Sequence, residues 1–166
     1  MRPGAESLLG DEIARMTRAF KKHMRWVLNL YPPFLGAGIR VKRLQADFKA
    51  VDVEMKLHFW NANYVGTHFG GSLYSMTDPF YMLMLIENLG RDYIVWDKSA
   101  SIRFKKPGKG KMVARFRLSD EQIEGIRQGL QTETKIEPTF AVEVQDEAGV
   151  VVAEVQKVLH VRKRQP

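Results

Sequence analysis

The chain has 166 residues with 26 Lys plus Arg against 19 Asp plus Glu, a formal charge of +7. That length suits one compact domain (residues 1–166, with 1–35 as an N-terminal helical extension), which can bury enough surface to need no disulfide or metal staple. With 45% hydrophobic and 27% charged residues, wholesale disorder is excluded; the lack of cysteine removes thiol nucleophiles and Cys-based zinc sites and fits a reducing, cytoplasmic location.

No apolar run approaches the ~20 residues of a spanning helix, and the acidic N-terminal stretch of Glu6, Asp11 and Glu12 argues against a signal peptide. From about Asp11 to Tyr31, Ile13, Met16, Phe20, Met24, Val27 and Leu28 recur at three- and four-residue spacing, predicting an amphipathic helix that Asp11 can cap and Pro32-Pro33 end. From Gly38 the period becomes two. Ile39 to Leu44 and Val51 to Leu57 read as paired strands joined near Ala46-Asp47. After the polar segment Asn61–Gly71, a run from Leu73 to Ile86 is apolar on nearly every side, the mark of a buried helix. Strands follow at Ile94–Lys106, Met112–Leu118, Thr139–Gln145 and Val150–Val161, and Ser119-x-x-Gln122 reads as a capping box opening a short helix. One antiparallel sheet wrapped around a long central helix (an α+β architecture) accounts for this order. The sheet's outer face then needs covering by the first helix or by a partner subunit.

Chemistry concentrates between Asn63 and Asp78. Gly70 and Gly71 stand where a loop enters a helix, so backbone can approach a ligand and unpaired amides can face a developing negative charge. Asp78 is the only acid between Glu54 and Glu87; short of water, its carboxyl gains proton affinity and suits general acid–base work. Asp78-Pro79 also reads as an N-cap followed by proline at the first helical position. If the helix instead starts at Gly71, Pro79 kinks or splits it near Asp78. Asn63 supplies an amide to orient water or a carbonyl, and with Gly66 it also reads as a turn former. His68 reads as an isolated loop histidine, and no His pair has metal-ligand spacing. Between Lys98 and Arg117 lie eight Lys or Arg and no acid, a stripe that attracts a polyanion or forms a solvated strand face.

The pattern Asn63-x-x-Gly66-Thr67-x-x-Gly70-Gly71 followed by Asp78 resembles the signature of PaaI-type hotdog-fold thioesterases. The element order agrees over roughly Gly38 to Arg162. More narrowly, with Trp96-Asp97-Lys98-Ser99-Ala100-Ser101-Ile102-Arg103-Phe104 as a second shared stretch, the chain looks like a hotdog family known only as a domain of unknown function. The resemblance implies cleavage of acyl-coenzyme A thioesters without a metal or separate cofactor, coenzyme A being part of the substrate. It assigns Asp78 as base or nucleophile, Gly70 and Gly71 amides on the carbonyl, Asn63 on the water, and a site formed across a homodimer (or tetramer). Phe69 stands where the family has histidine, with His68 displaced by one. Asp97 stands where some relatives have Ser or Thr, with Ser99 close by; a second carboxylate near Asp78 would raise one proton affinity further. Arg103, Lys105, Lys106, Lys109 and Lys111 suit the phosphates of coenzyme A. The alternative is a non-catalytic acyl-CoA or acyl-lipid binding protein. A nucleic-acid or membrane-surface role ranks last, because no nucleic-acid-binding motif is present.

Overall fold

The structure, a computed structural model, describes residues 23–164. Residues 23–30 are helical (α1), and the rest of the amphipathic helix expected from Asp11 lies outside the described residues. The chain continues through α2 (Pro32–Ala37), β1 (Ile39–Leu44), β2 (Ala50–Lys56), α3 (Gly70–Ser75), α4 (Phe80–Leu89), β3 (Tyr93–Phe104), β4 (Lys111–Arg117), α5 (Asp120–Thr132), β5 (Lys135–Ile136), β6 (Thr139–Gln145) and β7 (Val151–Lys163). The antiparallel sheet runs β1-β2-β4-β6-β7-β3, with β5 added to β7. It wraps the α3–α4 helix in a hotdog fold.

Period-two burial fixes which face meets the helix. Val51, Val53 and Met55 on β2 and Met112, Ala114 and Phe116 on β4 turn inward. They pack against Leu73, Met76, Phe80, Met84 and Leu85, the inner face of the helix, each large side chain contributing about 1.5–3 kcal/mol by leaving water. Tyr81 adds a hydrogen bond from its hydroxyl to the Ala141 carbonyl on β6 (2.9 Å). The capping box forms in full: Ser119 Oγ accepts from the Gln122 amide, and Gln122 Oε1 accepts from the Ser119 amide.

The central helix is split, as a proline inside it implied: α3 ends at Ser75 and α4 begins at Phe80, because Pro79 has no N–H to continue the ladder. The expected burial of the run changes. The apolar run is not buried on all sides, since Met82 and Leu83 are half-buried and Ile86 is exposed; that flank is left open by the described residues. No described residue covers the outer sheet face, and residues 11–22 of the helix expected to lie on it fall outside the described residues. Positions on that face, such as Arg40, Arg115, Glu143 and Gln156, are exposed and polar, so burial there would gain little. Helix α1 lies instead along the β1 edge, where the Asn29 side chain accepts from the Val41 amide (2.7 Å) and donates to the Val41 carbonyl (3.1 Å). A side-chain amide thereby satisfies one residue of that strand edge, and the Arg25 guanidinium donates to the Lys42 carbonyl at 3.3 Å.

Candidate active site

The split in the helix places Asp78. It follows α3 in the short connection to α4, and its side chain does not cap the second helix. The Tyr74 hydroxyl, four residues earlier and so on the same helical face, donates to Asp78 Oδ1 at 2.8 Å. Lys157 Nζ donates to the same oxygen at 2.8 Å and lies 3.1 Å from Asp97 Oδ1. Asp78 is therefore not a lone carboxylate in a dry crevice. Its side chain is 48% exposed in the single chain and carries an ion pair to a lysine that is fully buried. Oδ2 accepts no hydrogen bond from the described residues.

Strand register explains the cluster. On β7, Ala153, Val155, Lys157, Leu159 and Val161 share the inward face. On β3, Asp97 pairs with Leu159 and Ala100 with Lys157, with a register shift between Asp97 and Ser99. That bulge turns Asp97 and Ala100 to the same side despite their three-residue spacing. Asp97 thus joins Lys157 below the helix. Burial raises its proton affinity above the usual carboxylate value, Lys157 opposes the rise, and the Asp78 charge adds to it, as expected for paired carboxylates. Tyr74 is likewise held above the usual tyrosine value, by burial and by donating to Asp78.

Gly70 and Gly71 open α3, and their amides donate to no acceptor among the described residues, while the Phe69 carbonyl accepts from the Ser72 and Leu73 amides. Both positions are crowded by rings. A Cβ on Gly70 would lie 3.0 Å from the Phe104 ring, and one on Gly71 would lie 2.4 Å from the Phe69 ring. Asn63 spends its side chain on its own loop: Oδ1 accepts from the Val65 and Thr67 amides, and Nδ2 donates to Thr67 Oγ1 and the His68 carbonyl. This is the turn-forming behaviour its sequence allowed. His68 is buried, not a surface-loop residue. Its backbone amide donates to the Gly108 carbonyl and its Nε2 donates to the Gly110 carbonyl, both at 2.9 Å. Burial lowers its proton affinity below the usual histidine value. Because a carbonyl only accepts, Nε2 carries the proton and Nδ1 is a bare acceptor.

Asn63, His68 and Gly70 line a cleft of ≈ 640 Å³ with Phe104, Lys105, Lys106 and Lys109. The remaining basic residues do not converge on it. Arg103 lines a separate groove between β3, β7 and β6. Lys111 lines a groove beside β1 and β2 and faces Glu147 at 3.2 Å and Glu54 at 4.0 Å. Ser99 is exposed on β3, and Phe69 is exposed beside the glycines. No cluster of His, Cys, Asp and Glu among the described residues could hold a metal ion, and no described helix is long and apolar enough to cross a membrane.

Sequence reading missed Tyr74 and Lys157. The signal for Lys157 was its phase: the one lysine in an inward row of Ala, Val, Leu and Val. The signal for Tyr74 was its four-residue spacing from Asp78.

Comparison with known proteins places the chain among hotdog folds. The family described as "Domain of unknown function (DUF4442)" matches residues 17–161. A solved structure from Pseudomonas aeruginosa, described as a "Probable Thioesterase" of unknown function, superposes with a TM-score of 0.70 at 21% identity, over 91% of this chain and 96% of that one. A protein of unknown function from Chlorobaculum tepidum gives 0.69 at 13% identity, over 87% and 94%. A thioesterase from Haemophilus influenzae gives 0.62 at 13%, over 86% and 90%. At such identities the likeness establishes the fold. No curated protein matches the sequence.

Proposed function

The chain belongs to the DUF4442 family, and on that premise we propose that it is an acyl-coenzyme A thioesterase working as a homodimer, with Asp78 as base or nucleophile. The observation that carries the reading is the Asp78 carboxylate itself. One oxygen is held by Tyr74 and Lys157, the other is open, and the whole group stands beside the uncovered strand β3.

As base, Asp78 Oδ2 takes a proton from water as the water oxygen adds to the thioester carbonyl. The oxyanion is stabilised by amide donors of the Gly70-Gly71 type. Collapse breaks the C–S bond, and the proton returns to the departing sulfur, leaving a carboxylic acid and free coenzyme A. As nucleophile, the same oxygen adds to the carbonyl and expels coenzyme A as the C–S bond breaks. Water then opens the mixed anhydride to the free acid and the Asp78 carboxylate, its released proton going to the coenzyme A thiolate. Single-turnover hydrolysis in ¹⁸O water tests for the anhydride: the base route labels only the acid released, so label in Asp78 arises only when water opens an anhydride at the aspartyl carbonyl.

Geometry favours a two-chain site. Gly70 and Asp78 lie eight residues apart along a largely helical segment, on the order of 10 Å at 1.5 Å per residue, too far for one carbonyl to meet both in one chain. A second copy would bring its own glycines to Asp78 while covering the edge of β3 and the open flank of α4 at Leu83 and Ile86. Lys105, Lys106 and Lys109 would then meet the phosphates of coenzyme A, and Asn63 and His68 would line the path from them. Asp97 and Ser99 would face the same junction from β3, with Phe69 at its mouth; Arg103 and Lys111 lie farther from it.

The test is hydrolysis of short, medium and long acyl-CoAs by the purified protein. Asp78→Asn should reduce kcat at least 100-fold with the circular-dichroism spectrum unchanged. Absence of turnover with every chain length, together with thermal stabilisation by acyl-CoA that Asp78→Asn leaves intact, would instead establish a binding protein.

A further inference from the structure

Lys157 is the most costly residue in the sheet to explain by folding alone. It sits on β7 with Phe140 of β6 on one side and Ala100 of β3 on the other, and none of its surface reaches solvent. A buried ammonium costs several kcal/mol unless each of its protons is accepted. Here Asp78 Oδ1 accepts at 2.8 Å and the Tyr74 hydroxyl oxygen at 3.3 Å, and Asp97 Oδ1 lies 3.1 Å away as a second ion-pair partner. Burial works against its charge, but the two carboxylates outweigh burial, so its proton is held more tightly than in an ordinary lysine.

The arrangement is asymmetric about Asp78. Both donors, Tyr74 and Lys157, converge on Oδ1. A carboxylate gripped through one oxygen by two converging donors loses its freedom to rotate, and the other oxygen is left facing outward with a full set of lone pairs. Asp97 meanwhile holds the ammonium from its opposite side, so the lysine is pinned between strand β3 and the helix junction.

We propose that Lys157 is a positioning residue for thioester cleavage: with Tyr74 it fixes Asp78 through Oδ1 and presents Oδ2 as the oxygen that does the chemistry. This deepens, and rests on, the reading of Asp78 as base or nucleophile. Lys157 itself touches neither water nor thioester.

Two measurements test it, one with turnover and one without. In steady-state hydrolysis, Lys157→Met, of similar length and without charge, should lower kcat at least 30-fold with KM within threefold. Tyr74→Phe should lower kcat several-fold. Adding Lys157→Met to Asp78→Asn should lower it no further, because the residue acts only through that carboxylate. In ¹H–¹⁵N spectra of lysine side chains at neutral pH, the Lys157 ammonium should be visible in the wild type, since buried and bonded protons exchange slowly, and should shift or vanish in Asp78→Asn. Retention of kcat within threefold in a folded Lys157→Met variant overturns the proposal. So does an ammonium signal that is unmoved in Asp78→Asn. If Lys157→Met fails to fold, Tyr74→Phe and the ammonium signal decide. If the wild type hydrolyses no acyl-CoA, the enzymatic reading falls by itself, and the ammonium signal still judges the claim that Lys157 holds Asp78.

Discussion

Asn61 is the pivot that sets the site loop on the fold, and its replacement has a cost that can be worked from its bonds. The side chain is 7% exposed. Its Nδ2 donates to the Ala37 carbonyl (2.9 Å) and the Lys56 carbonyl (2.8 Å), and its Oδ1 accepts from the His58 amide (2.7 Å). One residue thus joins the end of α2, the end of β2 and the loop that leads to Asn63, His68 and Gly70. At about 1 kcal/mol per net hydrogen bond, Asn61→Ala should destabilise by about 3 kcal/mol. At 2–4 °C per kcal/mol for a chain of this size, that is a melting-temperature drop of roughly 6–12 °C. Asn61→Asp has nearly the same shape but points an oxygen, not an N–H pair, at two carbonyl oxygens, so it should cost more than alanine at pH 7. Its deficit should shrink as the pH falls and the carboxyl regains a proton to donate. Calorimetry of both variants at pH 7 and pH 4 checks this. An alanine variant within 2 °C of wild type, or an aspartate variant more stable than alanine at pH 7, would refute the accounting.

Gly38 has φ +75°, and a Cβ there would lie 2.7 Å from Asn61 Nδ2, so Gly38→Ala combines left-handed strain with displacement of the pivot; it should lose about 2 kcal/mol or more in urea unfolding. Asp97 holds its proton more tightly in the folded chain than the ordinary value of 3.8, so its contribution to stability falls as pH rises from 3.8 through that raised value. Asp97→Asn should accordingly gain stability relative to wild type between pH 3.5 and pH 7, and a gap that is flat or of opposite sign in paired urea melts would contradict the direction. Lys105→Ala, Lys106→Ala and Lys109→Ala combined should raise KM for acyl-CoA about tenfold or more while leaving KM for an acyl-pantetheine thioester, which lacks the nucleotide phosphates, nearly unchanged.

Local patterning carries most of the architecture. β1 and β6 begin and end where alternation in the sequence puts them, and the Ser119–Gln122 box marks the start of α5. The split at Pro79 follows from proline's missing N–H. Features that depend on distant pairing were not legible. The two-residue β5 exists only because β7 offers it an edge. The neighbour of β3 is β7, with paired residues 49 (Phe104 and Ala153) to 70 (Tyr93 and Lys163) positions apart in sequence. The bulge that aims Asp97 inward depends on that pairing, and alternation within β3 alone cannot reveal it. For the same reason Asp78 was expected in a dry pocket. Its water exclusion depends on what lies beyond the β3 edge, and its counter-charge arrives from the last strand of the sheet.

Position 157 is where the needs of the fold and of the site part company. The inward row of β7 is otherwise Ala153, Val155, Leu159 and Val161, and an aliphatic residue there would pack without any charge to desolvate. Replacing a buried ion pair by apolar side chains of similar volume is often neutral or stabilising, whereas removing the partner of a buried charge is costly. The two sides of this pair are unequally buried, since Lys157 has no solvent exposure and Asp78 is half open. Lys157→Met therefore leaves behind Asp78, which water can reach, and Asp97, which is partly exposed and already holds its proton more tightly than usual. Asp78→Asn instead leaves behind an ammonium that water cannot reach, with Asp97 as its remaining anion. Thermal melts should follow that order, Lys157→Met being the more stable of the two, even though both variants lose hydrolysis. A lysine whose removal spares the fold and abolishes turnover belongs to the chemistry. If Lys157→Met proves the less stable variant, the ammonium is a structural bolt, and the positioning of Asp78 is only its by-product.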